Sequence, residues 1–135
     1  MVDFDKIIDF HGHLGPYLVL GYRAGELALE KLSAERHFGI EVTVHCPENP
    51  PPRCFIDGIQ LSTGATFGKN NLFHQTAPEL SAFFTNKKTG KSIEIQLTDS
   101  IKKQFIPRIG PELEAFARKV AAQPVEEVFI IKEVL

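Results

Sequence analysis

The chain of 135 residues lacks tryptophan and contains only two cysteines, one methionine and two tyrosines. Two cysteines do not make a disulfide-stapled scaffold, so Cys46 and Cys54 are interpreted as free thiols or as a metal-binding thiolate. No apolar run reaches the length of a transmembrane helix, and no run of Lys or Arg forms a basic face. With a net charge of −2, the sequence therefore predicts a protein that binds neither membranes nor nucleic acids.

The N-terminus and the overall composition predict a cytoplasmic protein with a single domain. Asp3 and Asp5 stand where a secretory signal would carry positive charge. Hydrophobic residues make up 43% of the chain and charged residues 24%, proportions that allow a real core to be buried. No repeat or second domain is visible, so residues 1–135 are expected to form one domain.

Hydrophobic periodicity and turn residues predict helices and strands in irregular alternation. Helices are expected at residues 4–10, 16–33 and 53–61, after Asp99 or Ser100, and from Pro111 to about residue 123. Strands are expected at residues 40–46, 72–76, 82–86, 92–98 and 125–135, with a hairpin turn at residues 87–90. This order predicts an α+β fold, in which helices cover one face of a mixed β-sheet.

The predicted helix at residues 16–33 carries a stripe of small residues, namely Gly21, Ala24, Gly25 and Ala28. Such a stripe allows another element to approach closely, and two partners remain open. The sheet of the same chain is one, and the helix of a second copy is the other. A homodimer through elements near this helix or the outer strands is the expected assembly.

The segment Phe10-His11-Gly12-His13-Leu14-Gly15-Pro16 carries the strongest chemical signal. Each imidazole offers a nitrogen lone pair suited to zinc, nickel, copper or iron, and Gly12 lets the backbone turn so that both rings face one point. A helix that begins at Pro16 adds unpaired N–H groups and the positive end of its dipole. A metal or anion site and an ordinary surface loop are both compatible with His-x-His alone.

Two blocks of the sequence resemble the core domain of the FmdE family, which is named after formylmethanofuran dehydrogenase. The first is His11-Gly12-His13-Leu14-Gly15-Pro16 with Gly21-Tyr22-Arg23, and the second runs from Cys54-Phe55-Ile56-Asp57 through Thr63-Gly64-Ala65-Thr66 to Lys69-Asn70-Asn71-Leu72. Gly15 and Ala65 stand where the family usually has cysteines, and no cysteine-rich zinc-binding segment follows the core. The resemblance implies a dimer with an α-β-α-β-β-β core similar to the catalytic domain of glyceraldehyde-3-phosphate dehydrogenase.

Within this resemblance, His11, His13 and Cys54 are the expected ligands of a divalent metal. Zinc is the first choice, since two imidazoles and a thiolate leave its fourth position for water or substrate, and nickel and iron suit the same donors. Cys54 must ionise to bind, which a nearby cation or helix N-terminus would assist. The family implies an accessory or carrier role linked to molybdenum or tungsten redox enzymes or to one-carbon metabolism. The alternative is a stand-alone metalloenzyme that activates water or a carbonyl group.

Further candidates lie on the helix that follows Cys54 and in the loop beyond it. Cys54 and Asp57 are the candidate catalytic residues, because they share a helical face from which Asp57 can orient a histidine or act as a base. Thr63, Gly64 and Lys69 are candidates for binding a small-molecule ligand through backbone N–H groups and an amine. The competing interpretations are packing for Cys54, a favourable helix-end charge for Asp57 and a solvated loop charge for Lys69.

Overall fold

The computed structural model describes residues 2–134, in which helices and strands alternate irregularly. In chain order the elements are α1 (Phe4–His11), α2 (Pro16–Leu32), β1 (Ile40–Cys46), α3 (Phe55–Thr63), β2 (Leu72–Thr76), β3 (Ser81–Asn86), β4 (Ser92–Leu97), α4 (Asp99–Gln104), α5 (Pro111–Ala122), α6 (Val125–Val128) and β5 (Phe129–Val134). A short 3-10 turn, Pro52–Cys54, leads directly into α3. No helix in residues 2–134 is long and apolar enough to cross a membrane.

The strands form a mixed sheet in the order β2-β1-β3-β4-β5. β1 and β2 run parallel and are connected through α3, whereas the other neighbouring strands are antiparallel. The predicted hairpin between β3 and β4 is present, and Gly90 occupies its left-handed position with φ +78°. The mixed sheet expected from the sequence is therefore confirmed.

One face of the sheet is buried under the helices. Burial alternates residue by residue along β1, β3 and β4, as a strand with one covered face requires. On β1 the buried side chains are Ile40, Val42, Val44 and Cys46, and Val42 lies between Leu72 of β2 and Phe84 of β3. α2 packs on β3 and β4, and α3 packs on β1. The α+β fold with helices on one face is confirmed.

The small-residue stripe of α2 packs against α3 of the same chain. A Cβ atom at Gly21 would lie 2.0 Å from the carbonyl oxygen of Phe55, and one at Gly58 would lie 2.0 Å from that of Leu18. A Cβ atom at Gly25 would meet the hydroxyl of Ser62 at 2.0 Å. The sheet was therefore the wrong partner for this stripe, because Gly58 on α3 completes a close seam between two helices. The homodimer remains a prediction, without this stripe as its interface.

The last predicted strand begins later than the sequence indicated. Residues Val125–Val128 form the helical turn α6, and only Phe129–Val134 pair with β4. Pro124 has φ −57°, which suits the start of a helical turn, and the Thr98 hydroxyl and N–H donate to the carbonyl oxygens of Glu127 and Val128. These tertiary bonds override the strand propensity of the valines, so residues 125–128 were wrongly predicted. Residue 135 of the predicted strand lies outside the described residues.

Candidate functional site

A cavity of about 720 Å³ opens beside the N-terminal end of α2. The prolines at residues 50–52 and the loop between α4 and α5 supply much of its wall. Its lining is mainly apolar, with polar atoms contributed by His11, His13, Cys54 and Arg108 among others. Its volume falls within the ~300–1,000 Å³ range of small-molecule sites, so this cavity is the candidate functional site.

The chain reversal at Gly12 brings the rings of His11 and His13 together. His11 is the last residue of α1, and Gly12 ends that helix in the left-handed region at φ +96°, with its N–H donating to the carbonyl oxygen of Ile8. The two ring centroids lie 4.8 Å apart with a 44° angle between the ring planes. The ring of His13 also lies close to the backbone of Gly15, where a Cβ atom would be 3.1 Å from the His13 Cε1 atom.

Asp57 fixes the orientation of His11 from the first turn of α3. The Nδ1 atom of His11 lies 2.8 Å from the Oδ2 atom of Asp57, and the His11 side chain is only 11% exposed. Because a carboxylate accepts a hydrogen bond, Nδ1 carries the proton, and the neutral ring keeps its lone pair on Nε2. This is the arrangement in which histidine usually binds a metal, and it agrees with the histidine-orienting role expected for Asp57.

Cys54 ends the 3-10 turn before α3, and its half-buried side chain lines the same cavity. Burial raises the pKa of this thiol above its ordinary value, and the nearby charge of Asp57 raises it further. The expectation that the surroundings would assist ionisation was therefore wrong. At neutral pH the side chain is a thiol, and a bound cation would have to displace its proton.

The expected metal ligands share a cavity without forming a closed coordination shell. Among residues 2–134, no group of three or more His, Cys, Asp or Glu side chains is arranged as a metal-ion site. The donor types of His11, His13 and Cys54 nevertheless suit a divalent transition metal. His13 is exposed, and exposed side chains change rotamer quickly, so rotation of this ring is the simplest way to complete a site.

The three residues expected to bind a small ligand lie at the other end of α3. At ~1.5 Å per residue, Thr63 is about 12 Å along the helix from Phe55. The Thr63 hydroxyl donates to the Ile59 carbonyl at 2.6 Å and accepts from the Ala65 N–H at 3.1 Å, and Gly64 ends the helix at φ +75°. Lys69 donates to the Thr66 hydroxyl at 3.2 Å. None of the three lines the cavity, and their role in ligand binding remains a prediction.

Sequence reasoning missed Arg108, which lies in the loop between α4 and α5 and lines the cavity. Its guanidinium carbon lies 3.8 Å from the centroid of the Phe116 ring. Its Nη1 atom donates to the carbonyl oxygens of Gln104 at 2.7 Å and Ile106 at 3.2 Å. The available signal was a cation within the otherwise apolar, proline-containing segment of residues 105–110.

Comparison with known proteins gives a family match and a structural neighbour. Residues 10–130 match the family model described as "FmdE, Molybdenum formylmethanofuran dehydrogenase operon". An FmdE-like protein from Syntrophus aciditrophicus, named after a tungsten formylmethanofuran dehydrogenase, superposes with a TM-score of 0.64 at 22% identity, over 96% of this chain and 68% of that one. This likeness supports the fold. The expected similarity to glyceraldehyde-3-phosphate dehydrogenase stays a prediction.

A curated relative from Archaeoglobus fulgidus bears the name "Probable S-adenosyl-L-methionine-binding protein". It is 29% identical over 104 residues, which make up 72% of this chain. The match spans only 27% of that relative's length. Its name describes the longer protein, most of which lies outside the matched region.

Proposed function

The chain belongs to the FmdE family, and from this premise we propose that it is an accessory or carrier protein that binds a divalent metal. The redox enzymes of molybdenum or tungsten, or one-carbon metabolism more broadly, are its proposed context. The observation that carries the metal-binding proposal is that His11, His13 and Cys54 line one ligand-sized cavity. Two imidazole nitrogens and a thiolate are donors that zinc prefers and that nickel and iron also accept.

Each proposed ligand has a distinct physical role. His11 is pre-oriented, because Asp57 accepts its Nδ1 proton and leaves the Nε2 lone pair for the metal. His13 lies beside it and is exposed, so its ring is free to reorient. Cys54 must give up the proton that burial and Asp57 help it to retain. Metal binding would therefore release a proton and weaken as the pH falls.

The metal content of protein purified without an affinity tag tests this proposal. We expect zinc or another divalent metal in the wild-type protein, and its loss in His13→Ala with the fold intact by circular dichroism. His45→Ala is the matched control, because His45 lies on β1 outside the cavity, near Gln75. Equal metal content in His13→Ala and the wild type would contradict the proposal, as would a wild type that stays metal-free after incubation with zinc.

A stand-alone metalloenzyme is the second candidate, and the His11–Asp57 pair beside a substrate-sized cavity favours it. A bound metal with an open position would supply a Lewis acid for activating water or a carbonyl group. The two candidates differ in that open position. In cobalt-substituted protein, a shift of the visible spectrum on adding azide would favour the enzyme, and an unchanged spectrum would favour the binding protein.

A further inference from the structure

Arg108 is a partly buried cation in the cavity lining without an acidic partner among the described residues. The ion pairs within residues 2–134 join His11 to Asp57, Lys102 to Glu79, and Arg118 to Glu114. A guanidinium group in an apolar setting usually meets a carboxylate or a phosphate, because its charge is otherwise poorly compensated. The missing counter-charge is therefore expected to come from outside the chain.

The guanidinium group of Arg108 is held firmly from one side only. One of its faces rests on the Phe116 ring, and its Nη1 atom donates to two backbone carbonyls, those of Gln104 and Ile106. The Nε and Nη2 atoms make no hydrogen bond within residues 2–134. Their N–H groups form a planar fork whose spacing matches the two oxygens of a carboxylate. Because the group is already anchored, little side-chain entropy is lost when it binds an anion.

The remaining walls of the cavity suit an apolar body. Leu18, Pro51, Phe105, Pro107 and Leu113 all line it. The rings of Tyr17 and Phe105 pack at a centroid distance of 4.8 Å, which gives this wall aromatic surface. Apolar walls with a few well-placed polar groups are the usual composition of a site for a small organic molecule.

We propose that the cavity binds an organic molecule with an aromatic or apolar body and a carboxylate group, and that Arg108 binds the carboxylate. This names the ligand class of the site, and it rests on the proposed function of the cavity as a ligand site. A carboxylate is favoured over a phosphate, because Arg108 is the sole Lys or Arg among the described lining residues and a single cation balances a monoanion.

The test uses two isosteric probes, 2-naphthoate and its neutral analogue 2-naphthamide, with dissociation constants measured by titration calorimetry. Wild-type protein is expected to bind naphthoate about tenfold or more tightly than naphthamide, the effect of a charge-assisted hydrogen-bonded pair. Arg108→Gln should abolish this preference and leave the affinity for naphthamide unchanged. Arg108→Lys, which keeps the charge without the fork, should retain part of it.

Arg118→Gln is the matched control, because Arg118 also lies over an aromatic ring, that of Phe4 at 4.9 Å, but outside the cavity. It should leave both affinities unchanged. Equal affinities for the two probes in the wild type, no binding of either, or a preference that survives Arg108→Gln would overturn the proposal. Tighter binding of 2-naphthyl phosphate than of naphthoate would overturn the choice of carboxylate.

Metal-stripped protein separates this proposal from metal binding. A metal would also attract a carboxylate, so the titrations are repeated after chelation, and the preference for naphthoate should persist. A preference that needs the metal but not Arg108 would overturn the proposal. The metal content of Arg108→Gln should equal that of the wild type, whereas His13→Ala should lose metal, so failure of one proposal is distinguishable from failure of the other.

Discussion

A methyl group added at Gly58 would strike the backbone of α2, so Gly58→Ala is expected to destabilise the protein. Its Cβ atom would lie 2.0 Å from the carbonyl oxygen of Leu18 and 2.5 Å from the amide nitrogen of Tyr22. Ordinary van der Waals contact begins near 3.4 Å, so α2 and α3 would have to separate by more than 1 Å. Backbone atoms inside a helix have no rotamer by which to move aside.

The size of the effect follows from the packing that this separation disrupts. A gap of ~0.5–1 Å already removes about a quarter to a half of the dispersion energy between facing atoms, and overpacking a core costs ~1–3 kcal/mol or more. The higher helix propensity of alanine returns only about 1 kcal/mol. We therefore expect Gly58→Ala to lower the free energy of unfolding by about 2 to 3 kcal/mol.

Urea unfolding followed by far-UV circular dichroism measures this change, since the chain has no tryptophan to report by fluorescence. Gly68→Ala is the matched control, because the atom nearest to its Cβ would be the Thr66 hydroxyl at 3.9 Å. Gly25→Ala should lie between the two, since its nearest contact is the Ser62 hydroxyl on a side chain that can turn. A midpoint for Gly58→Ala at or above that of the wild type would refute the reasoning.

Two further predictions concern the thiol at the site and the assembly. In chelated protein, iodoacetamide should modify Cys54 with a pH midpoint above that of a free thiol, because burial and the charge of Asp57 raise its pKa and reduce the thiolate at neutral pH. Asp57→Asn should lower that midpoint, as followed by mass spectrometry with the fully buried Cys46 as internal reference, and an unmoved midpoint would contradict the role assigned to Asp57. Light scattering at micromolar concentration should give the mass of a homodimer, and a monomeric mass would disprove it.

Local features of the fold could be predicted because they depend on neighbouring residues alone. The alternation of apolar and polar residues along Ile40–Cys46 predicted a strand with one covered face, and the structure has that strand. Pro16 begins α2 and Gly12 ends α1, positions at which fixed φ and left-handed φ respectively decide the backbone. The closeness of His11 and His13 likewise follows from their single-residue spacing.

The site itself depends on contacts between residues far apart in the chain. His11 and Asp57 are 46 residues apart, and Arg108 lies in a loop that carries no recognisable motif. The partner of the α2 stripe was mistaken for the same reason, since periodicity identifies a face without identifying the surface that covers it. Sequence alone therefore determined the type and the buried face of each main element, because backbone preference and side-chain spacing are local properties. Tertiary packing alone decided which side chains meet around the cavity, since that depends on how α1, α3 and the loop between α4 and α5 pack around α2.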